Sequence, residues 1–206
     1  MARPFFLSLD GLDGTGKSTQ CRLLADWLRG RRHEVTVCTD PGGTVVGGVL
    51  RNLLLHHRHA LSLPCEALLF MASRAQLVTE VIRPALEAGR VVISDRFLLA
   101  NVVYQGHAGG LDPEQLWQVG LFSTGGLEPD LTLVLDLPSE QAQARRTGPA
   151  DRVESRDAAY HVRVREGFLA EARRRPERIR VIDASGSVQA VHECICREVE
   201  KRLKEV

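Results

Sequence analysis

The sequence predicts an α/β fold in which a five-stranded parallel sheet lies between two layers of helices, and three observations support this prediction. Short apolar runs alternate with helical patterns along the chain, at residues 5–10, 35–39, 90–95, 131–136 and 178–183. Continuous apolar runs of this length are typical of strands that are covered on both faces. The segments between the runs are long enough for crossover helices, so the strands should run parallel and end at one common edge.

The first strand leads into a motif that organises the rest of the chain. Residues 11–18 read Gly-Leu-Asp-Gly-Thr-Gly-Lys-Ser, which fits the phosphate-loop pattern G-x-x-x-x-G-K-[ST]. A strand that stops at a glycine turn and restarts as a helix points several backbone N–H groups into one hollow, which suits a polyphosphate. Behind Lys17 the apolar spacing predicts a helix that ends at Gly30. The motif therefore predicts a P-loop three-layer sandwich that binds a nucleoside triphosphate, with contacts from Gly11, Leu12, Asp13, Gly14, Thr15, Gly16, Lys17, Ser18 and Thr19. The alternative is a glycine-rich turn that holds no ligand.

Composition limits the other classes of function. The chain has 206 residues, of which 44% are hydrophobic and 26% charged, and this suits one domain over residues 1–206. A net charge of +1 argues against a nucleic-acid binder. The first apolar run is too short for a signal peptide and no window is apolar enough to span a membrane, so we expect no membrane contact and a cytoplasmic protein.

Cysteine usage predicts neither a disulfide framework nor a zinc site. The five cysteines are odd in number and scattered over predicted helices and a strand. Cys194 and Cys196 lie on one predicted helix, where a spacing of two points the sulfurs about 200° apart. No second Cys or His pair is suitably spaced to complete a metal site.

A long helical region over residues 46–88 separates the second and third strands, with a break near 61–64. Apolar spacing in its second part predicts a buried stripe of Cys65, Leu68, Leu69 and Ala72, continued by Leu77, Val78 and Val81. Pro84 should kink this region and Gly89 should end it. Phe70 and Arg74 share a helix face. Spacing alone favours a core ring and a solvated guanidinium; the alternative is a pair that stacks on and bonds a flat base.

A basic segment over residues 145–156, called the LID below, carries four arginines among Gly, Pro and Ser. It is either a flap that closes over phosphates or a solvated run of charge. Near the C-terminus, a closing helix should bury one stripe, formed by Val188, Val191, Ile195, Val199 and Leu203.

Six motifs in order over residues 5–154 resemble those of the thymidylate kinases. No Asn-Lys-x-Asp element of a guanine switch is present. The phosphate loop continues as Thr19-Gln20, and the further matches are Thr39-Asp40-Pro41-Gly42-Gly43-Thr44, Phe70-Met71-Ala72-Ser73-Arg74, Asp95-Arg96-Phe97 with Tyr104-Gln105-Gly106, Pro129-Asp130-Leu131-Thr132, and Asp151-Arg152-Val153-Glu154.

The resemblance implies a thymidylate kinase that transfers the γ-phosphoryl group of ATP to dTMP, with Mg²⁺ as cofactor, and that acts as a homodimer. The apolar faces within 46–88 and 112–126 would supply the dimer contact. It implies a dTMP site of Asp13, Arg51, Phe70, Arg74, Arg96, Asn101, Tyr104 and Gln105. The implied catalytic groups are Lys17, Asp13, Arg96 and the LID arginines Arg145, Arg146 and Arg152, and Ser18 and Asp95 would hold Mg²⁺ directly or through water.

Four departures from the family pattern qualify these roles. Asp10 stands where glutamate is common, and Thr39-Asp40 replaces Arg-Glu. Ala100 stands where Ser or Thr is frequent beside the base. Gly14 replaces a loop arginine found in some relatives, so the catalytic arginine should come from the LID. Two other readings stay open: another nucleoside or nucleotide kinase of this fold, and a nucleotide-binding module without catalysis.

Overall fold

The computed structural model describes residues 4–56, 60–146, 151–153 and 155–205. Five parallel strands form one sheet in the order β2-β3-β1-β4-β5. The strands are β1 (Phe5–Gly11), β2 (Val35–Thr39), β3 (Val91–Asp95), β4 (Leu131–Asp136) and β5 (Ile179–Asp183). Each begins and ends within one residue of its predicted run, so the predicted parallel sheet is confirmed.

Helices cover both faces of this sheet, as the long connections between parallel strands require. They are α1 (Lys17–Arg29), α2 (Val45–His56), α3 (Leu63–Leu77), α4 (Arg83–Glu87), α5 (Leu98–Asn101), α6 (Pro113–Thr124), α7 (Ser139–Ala144), α8 (Ala158–Arg174) and α9 (Val188–Glu205). Two π-helical turns, Val78–Ile82 and Val102–His107, join α3 to α4 and extend α5. Among the described helices, none is both long and apolar enough to cross a bilayer.

Local sequence signals explain where two of these helices begin and end. Helix α1 starts after Gly16, which has a φ of +94°, and is followed by Gly30, as predicted. Helix α6 is capped at its start by Asp112, whose carboxylate accepts the backbone N–H of Glu114, and at its end by Gly125, which has a φ of +60°.

The prediction for the face of α3 is wrong. Cys65, Leu68 and Ala72 are exposed and Leu69 is only half-buried, whereas Glu66 and Arg74 are buried. The rule that apolar residues face the core fails here because this helix turns a polar face into the site described below. The continuation is partly confirmed, since Leu77 and Val78 are buried and Val81 is half-buried.

The core lies on both sides of the three central strands, β3, β1 and β4. Leu7, Leu9 and Leu133 are fully buried, and Phe6 packs edge-on against Phe97 at 5.0 Å between ring centroids. In α9 the predicted stripe is buried at Val191, Ile195 and Val199, half-buried at Leu203 and exposed at Val188. All five cysteines are free.

Candidate active site

A cavity of about 680 Å³ opens at the edge where the parallel strands end. This is the edge at which α/β sheets bind ligands. The predicted site residues that line it are Asp13, Gly14, Gly16, Lys17, Ser18, Thr19, Arg51, Phe70, Arg74, Asp95, Arg96, Asn101, Tyr104, Gln105, Arg145 and Arg146. Gly11, Leu12, Thr15 and Arg152 are outside this lining.

Glycine is required in the phosphate loop because the backbone turns with positive φ and packs closely against other backbone. Gly11 has a φ of +131°, and a Cβ there would lie 2.5 Å from the carbonyl oxygen of Leu135. Gly14 has a φ of +87°, and its Cβ would overlap the carbonyl oxygen of Ala142. The loop is therefore clamped between β4 and α7, which fixes the direction of its N–H groups.

Lys17 and Ser18 begin α1 at the floor of the cavity. The Lys17 ammonium donates to the carbonyl oxygen of Leu12 at 2.7 Å and lies 3.5 Å from the Asp13 carboxylate. Burial and the nearby charge of Arg96 lower the pKa of Lys17. The Ser18 hydroxyl donates to Asp95 at the end of β3, so a hydroxyl and a carboxylate lie side by side next to the loop.

Arg96 connects the phosphate loop to the other half of the cavity. It has a φ of +69°, a conformation that is uncommon for residues other than glycine and is often found at functional sites. Its guanidinium donates to the carbonyl oxygen of Gly11 at 2.9 Å, to the Asp13 carboxylate and to the Tyr104 hydroxyl at 3.2 Å. Burial alone would raise the pKa of Asp13, but Arg96 and Lys17 outweigh it and hold that pKa well below its usual range.

Asp10 is a buried carboxyl beneath the loop. Burial raises its pKa to about 7, although Arg96 and Lys17 act in the opposite direction. One carboxyl oxygen is within reach of the Ser8 hydroxyl at 3.3 Å, and the other has no hydrogen-bond partner among the described residues.

Arg74 organises the end of the cavity away from the loop. It is 2% exposed, so the spacing-based expectation of a solvated guanidinium is wrong. It donates to Asp40 through Nε and to the Asn101 carbonyl oxygen at 3.1 Å. Burial raises the pKa of Asp40, and the Arg74 charge offsets part of that rise. Phe70, four residues earlier, is half-buried and lines the same pocket.

The two ends of the LID make different contacts. Arg145 donates to the carbonyl oxygens of Ala184 and Ser185 at 2.8 and 3.2 Å. The Arg146 side chain passes over the phosphate loop, with its Cγ 3.1 Å from where a Cβ of Gly14 would lie. Arg152 instead donates to the carbonyl oxygen of Leu54 at 2.8 Å. The LID residues 147–150 and 154 lie outside the described residues.

Glu66 is a buried charge that the sequence patterns miss. It is 0% exposed, lies 2.6 Å from Arg152 and 3.0 Å from Arg156, and accepts a hydrogen bond from Gln105. A signal was available, because Glu66 precedes Phe70 by four residues and Arg74 by eight, which places all three on one helix face.

A glycine loop between a strand and a helix, with fixed cations between it and a polar pocket, is typical of the P-loop nucleotide kinases. Within that class the chain belongs to the thymidylate kinase family, because the family model "Thymidylate kinase" matches residues 9–195.

Individual relatives agree with the family match. The chain is 49% identical to the thymidylate kinase of Symbiobacterium thermophilum over 200 residues, which cover 96% of this chain and 94% of that protein. It is 46% identical to the thymidylate kinase of Rhodopirellula baltica over 198 residues, which cover 95% of this chain and 81% of that protein. The crystal structure of thymidylate kinase from Ehrlichia chaffeensis superposes with a TM-score of 0.79 at 29% identity and covers 95% of this chain and 98% of that one.

Proposed function

We propose that the protein transfers the γ-phosphoryl group of ATP to dTMP, giving ADP and dTDP. One observation carries the proposal: the phosphate loop and the buried pocket around Arg74 open into a single cavity, and Arg96 contacts groups on both sides. Two nucleotides could therefore meet end to end with a fixed cation at their junction. Membership of the thymidylate kinase family supports dTMP as the acceptor.

Catalysis in this arrangement rests on alignment and charge neutralisation. The attacking oxygen of a monophosphate is already anionic at neutral pH, so no strong general base is required. Transfer passes through a loose transition state with charge on the equatorial oxygens. Lys17 and the loop N–H groups would hold the donor phosphates, and Arg96 and Arg51 the acceptor phosphate, which removes the repulsion between them. Asp13 fixes Arg96 by their ion pair.

Of the three LID candidates, we propose Arg146 as the arginine that contacts the transferring group. It lines the cavity and lies over the phosphate loop, whereas Arg152 is outside the lining and bound to Glu66. Arg145 also lines the cavity, but its guanidinium is held by two carbonyl oxygens beyond β5. A positioned arginine is worth roughly 10³ to 10⁵ in rate in related P-loop enzymes.

The residues present fit a magnesium ion. Mg²⁺ prefers hard oxygen ligands and binds through one or two protein groups together with substrate phosphates. The Ser18 hydroxyl and the Asp95 carboxylate supply such oxygens beside the loop, and we propose that they hold the ion directly or through water. When bound, the ion neutralises phosphate charge. No cluster of three or more His, Cys, Asp or Glu that could hold a metal occurs in the described part of the chain.

The acceptor pocket suits a pyrimidine deoxynucleotide. We propose that Phe70 stacks on thymine while Arg74, Asn101 and Gln105 bond its edge. Tyr104, held by its hydroxyl between Arg96 and Asp13, would lie under the sugar and disfavour a 2′-hydroxyl.

We further propose a cytoplasmic homodimer. Five free cysteines suit a reducing compartment. Helices α2 and α6 both pack against α3, and together these helices expose Val45, Val49, Leu68 and Phe122 at 87%, 67%, 58% and 88%. An apolar surface of this kind suits a contact between copies. Sedimentation equilibrium should give twice the chain mass, and Phe122→Glu should shift the protein to a monomer.

The direct test is an ADP-release assay with ATP and a panel of nucleoside monophosphates. Stimulation by dTMP far above the other monophosphates is the expected result. Preference for another monophosphate would instead indicate a different nucleotide kinase. ATP binding without turnover on any member of the panel would indicate a binding module.

A further inference from the structure

Glu66 ends a chain of buried hydrogen bonds that crosses the whole acceptor pocket. Its carboxylate accepts from the Gln105 amide nitrogen at 2.7 Å. The Gln105 carbonyl oxygen accepts from the Asn101 amide nitrogen at 2.8 Å, and the Asn101 carbonyl oxygen accepts from Arg74 at 3.1 Å. Arg74 ends the chain on Asp40. Each member of this chain is at most 2% exposed.

The groups on either side of the two amides, Glu66 and Arg74, give this chain a single direction. An ionised carboxylate only accepts hydrogen bonds and a guanidinium only donates them. Gln105 must therefore turn its NH₂ toward Glu66, and Asn101 must turn its carbonyl oxygen toward Arg74. An isolated amide could flip by 180° and exchange donor for acceptor. Here both amides are locked in one orientation by groups at opposite ends.

Two LID arginines pair with the Glu66 end of the chain. Arg152 lies 2.6 Å and Arg156 3.0 Å from its carboxylate, so this buried side chain faces two guanidinium groups. Arg156 also lies 4.5 Å from the ring centroid of Tyr160, whose hydroxyl donates to the backbone carbonyl of Tyr104 at 2.8 Å. The C-terminal end of the LID, which carries Arg152 and Arg156, is thus attached to the acceptor pocket, whereas Arg146 at its N-terminal end lies at the phosphate loop.

We propose that Glu66 is a positioning residue that sets the base specificity of the acceptor site. Gln105 and Asn101 line the cavity, and the hydrogen bonds of this chain use only one N–H and one lone pair of each amide. Their locked orientation presents one fixed pattern of donors and acceptors to a bound base. Thymine carries a carbonyl oxygen where cytosine carries an amino group, so one fixed pattern accepts the first and rejects the second. The inference rests on the proposed function and names the group that enforces its substrate choice.

The variant Glu66→Gln tests this role because it keeps the shape of the side chain but can donate as well as accept. Arg152 and Arg156 attract the single amide oxygen of the Glu66→Gln side chain, so its NH₂ group faces the Gln105 amide nitrogen and Gln105 loses its enforced direction. Arg74 still orients Asn101. We expect the ratio of kcat/KM for dTMP over dCMP to fall about tenfold, since specificity in a hydrogen-bonding site depends on leaving the wrong base unpaired. The KM for ATP, bound at the other end of the cavity, should change less than twofold.

Glu171→Gln is the matched control. Glu171 is also 0% exposed and also binds a guanidinium, that of Arg174 at 2.9 Å, but it lies on α8 outside the cavity lining. It also contacts His107 in the π-helical turn that carries Gln105. This variant should lose stability without changing the ratio of dTMP to dCMP.

Arg156→Gln provides a second variant in case Glu66→Gln fails to fold, because Arg156 is partly exposed and the carboxylate remains. Arg156→Gln should also lower the ratio of kcat/KM for dTMP over dCMP, but by a smaller factor than Glu66→Gln does. If the Glu66 and Arg156 variants lower kcat/KM for dTMP and dCMP equally, or behave as Glu171→Gln does, the specificity role is wrong although the proposed function stands. If the wild-type protein phosphorylates no nucleoside monophosphate, the proposed function and this inference both fall.

Discussion

The two ends of the cavity are built in different ways. The donor end is made largely of backbone, from one continuous segment at residues 11–18 whose glycines adopt positive φ. The acceptor end is made of side chains from separate segments, with Asp40, Arg74 and Asn101 joined by buried hydrogen bonds. A site built from backbone is encoded by one short segment and tolerates substitutions around it, whereas a side-chain network is disrupted when any one member is replaced. Substitutions at the two ends should therefore have different effects on activity and stability.

The largest effect is expected at the donor end, where Lys17 supplies the side-chain cation of the loop. Lys17→Ala should lower kcat by at least about a thousandfold, because a buried positive charge at the phosphates is lost. The contacts of this side chain, to the Leu12 carbonyl oxygen and to Asp13, lie within the loop, so the sheet and its helices should remain folded and the far-UV spectrum should stay close to wild type. Lys201→Ala, an exposed change on α9, is the control in the ADP-release assay. Near wild-type turnover in Lys17→Ala would remove the phosphate loop from the mechanism.

Arg146 lies at the donor end of the cavity and Arg152 is bound to Glu66 at the acceptor end, so a comparison of the two substitutions tests how the LID arginines divide between the ends. Arg146→Ala should lower kcat by about a hundredfold to a thousandfold with little change in the KM for dTMP. Arg152→Ala should have a smaller effect on kcat, because its guanidinium is held by Glu66 and Leu54. The opposite ranking in steady-state kinetics would show that Arg152 leaves Glu66 during turnover. Replacing Arg145, Arg146 and Arg152 together should lower kcat far more than dTMP affinity.

The same contrast explains what the sequence predicts well. Strand limits and α1 depend on local signals, namely apolar runs, Gly16 and Gly30, and these predictions agree with the structure. The phosphate loop is likewise a local motif. Its sequence is sufficient to place it between a strand and a helix, although the clamp on Gly14 by Ala142 involves residues far apart in the chain.

The acceptor end is predicted less well because its determinants are long-range. On α3 the apolar spacing points to Leu68, but the buried face holds Glu66 and Arg74. A polar face is buried only when partners from other segments satisfy it, and no local pattern reveals those partners. The resemblance implies Arg74 as a base contact, yet its buried ion pair with Asp40 and the hydrogen bond between Glu66 and Gln105 are seen only in the structure.

Arg74→Met should break the acceptor network while preserving side-chain volume. It leaves Asp40 buried without its cation, which costs about 3 to 5 kcal/mol of unfolding free energy. Burial already raises the pKa of Asp40, and loss of Arg74 should raise it further. A carboxyl with a raised folded-state pKa binds more protons folded than unfolded, so stability falls as pH rises through that pKa. The destabilisation measured by urea unfolding should therefore be larger at pH 8 than at pH 5.5.

Arg90→Met is the control for that measurement. Arg90 pairs with Glu34 at 3.2 Å, but both side chains are largely exposed, so its loss should cost no more than about 1 kcal/mol and show little pH dependence. Equal losses of unfolding free energy in the Arg74 and Arg90 variants would mean that solvent screens the Arg74–Asp40 ion pair. The network at the acceptor end would then contribute no more to stability than an exposed ion pair does.

The smallest effect is expected at Asp10, the buried carboxyl at the donor end. Burial raises its pKa to about 7, above the ordinary value of 3.8, so between these values the folded state holds a proton that the unfolded state lacks. Wild-type stability should accordingly fall by about 1.4 kcal/mol between pH 6 and pH 8 from this group alone. Asp10→Asn removes the titration, so its stability curve should be flatter over that interval. Parallel curves for the two proteins would show that Asp10 stays ionised, because the cations around the loop outweigh its burial as they do at Asp13.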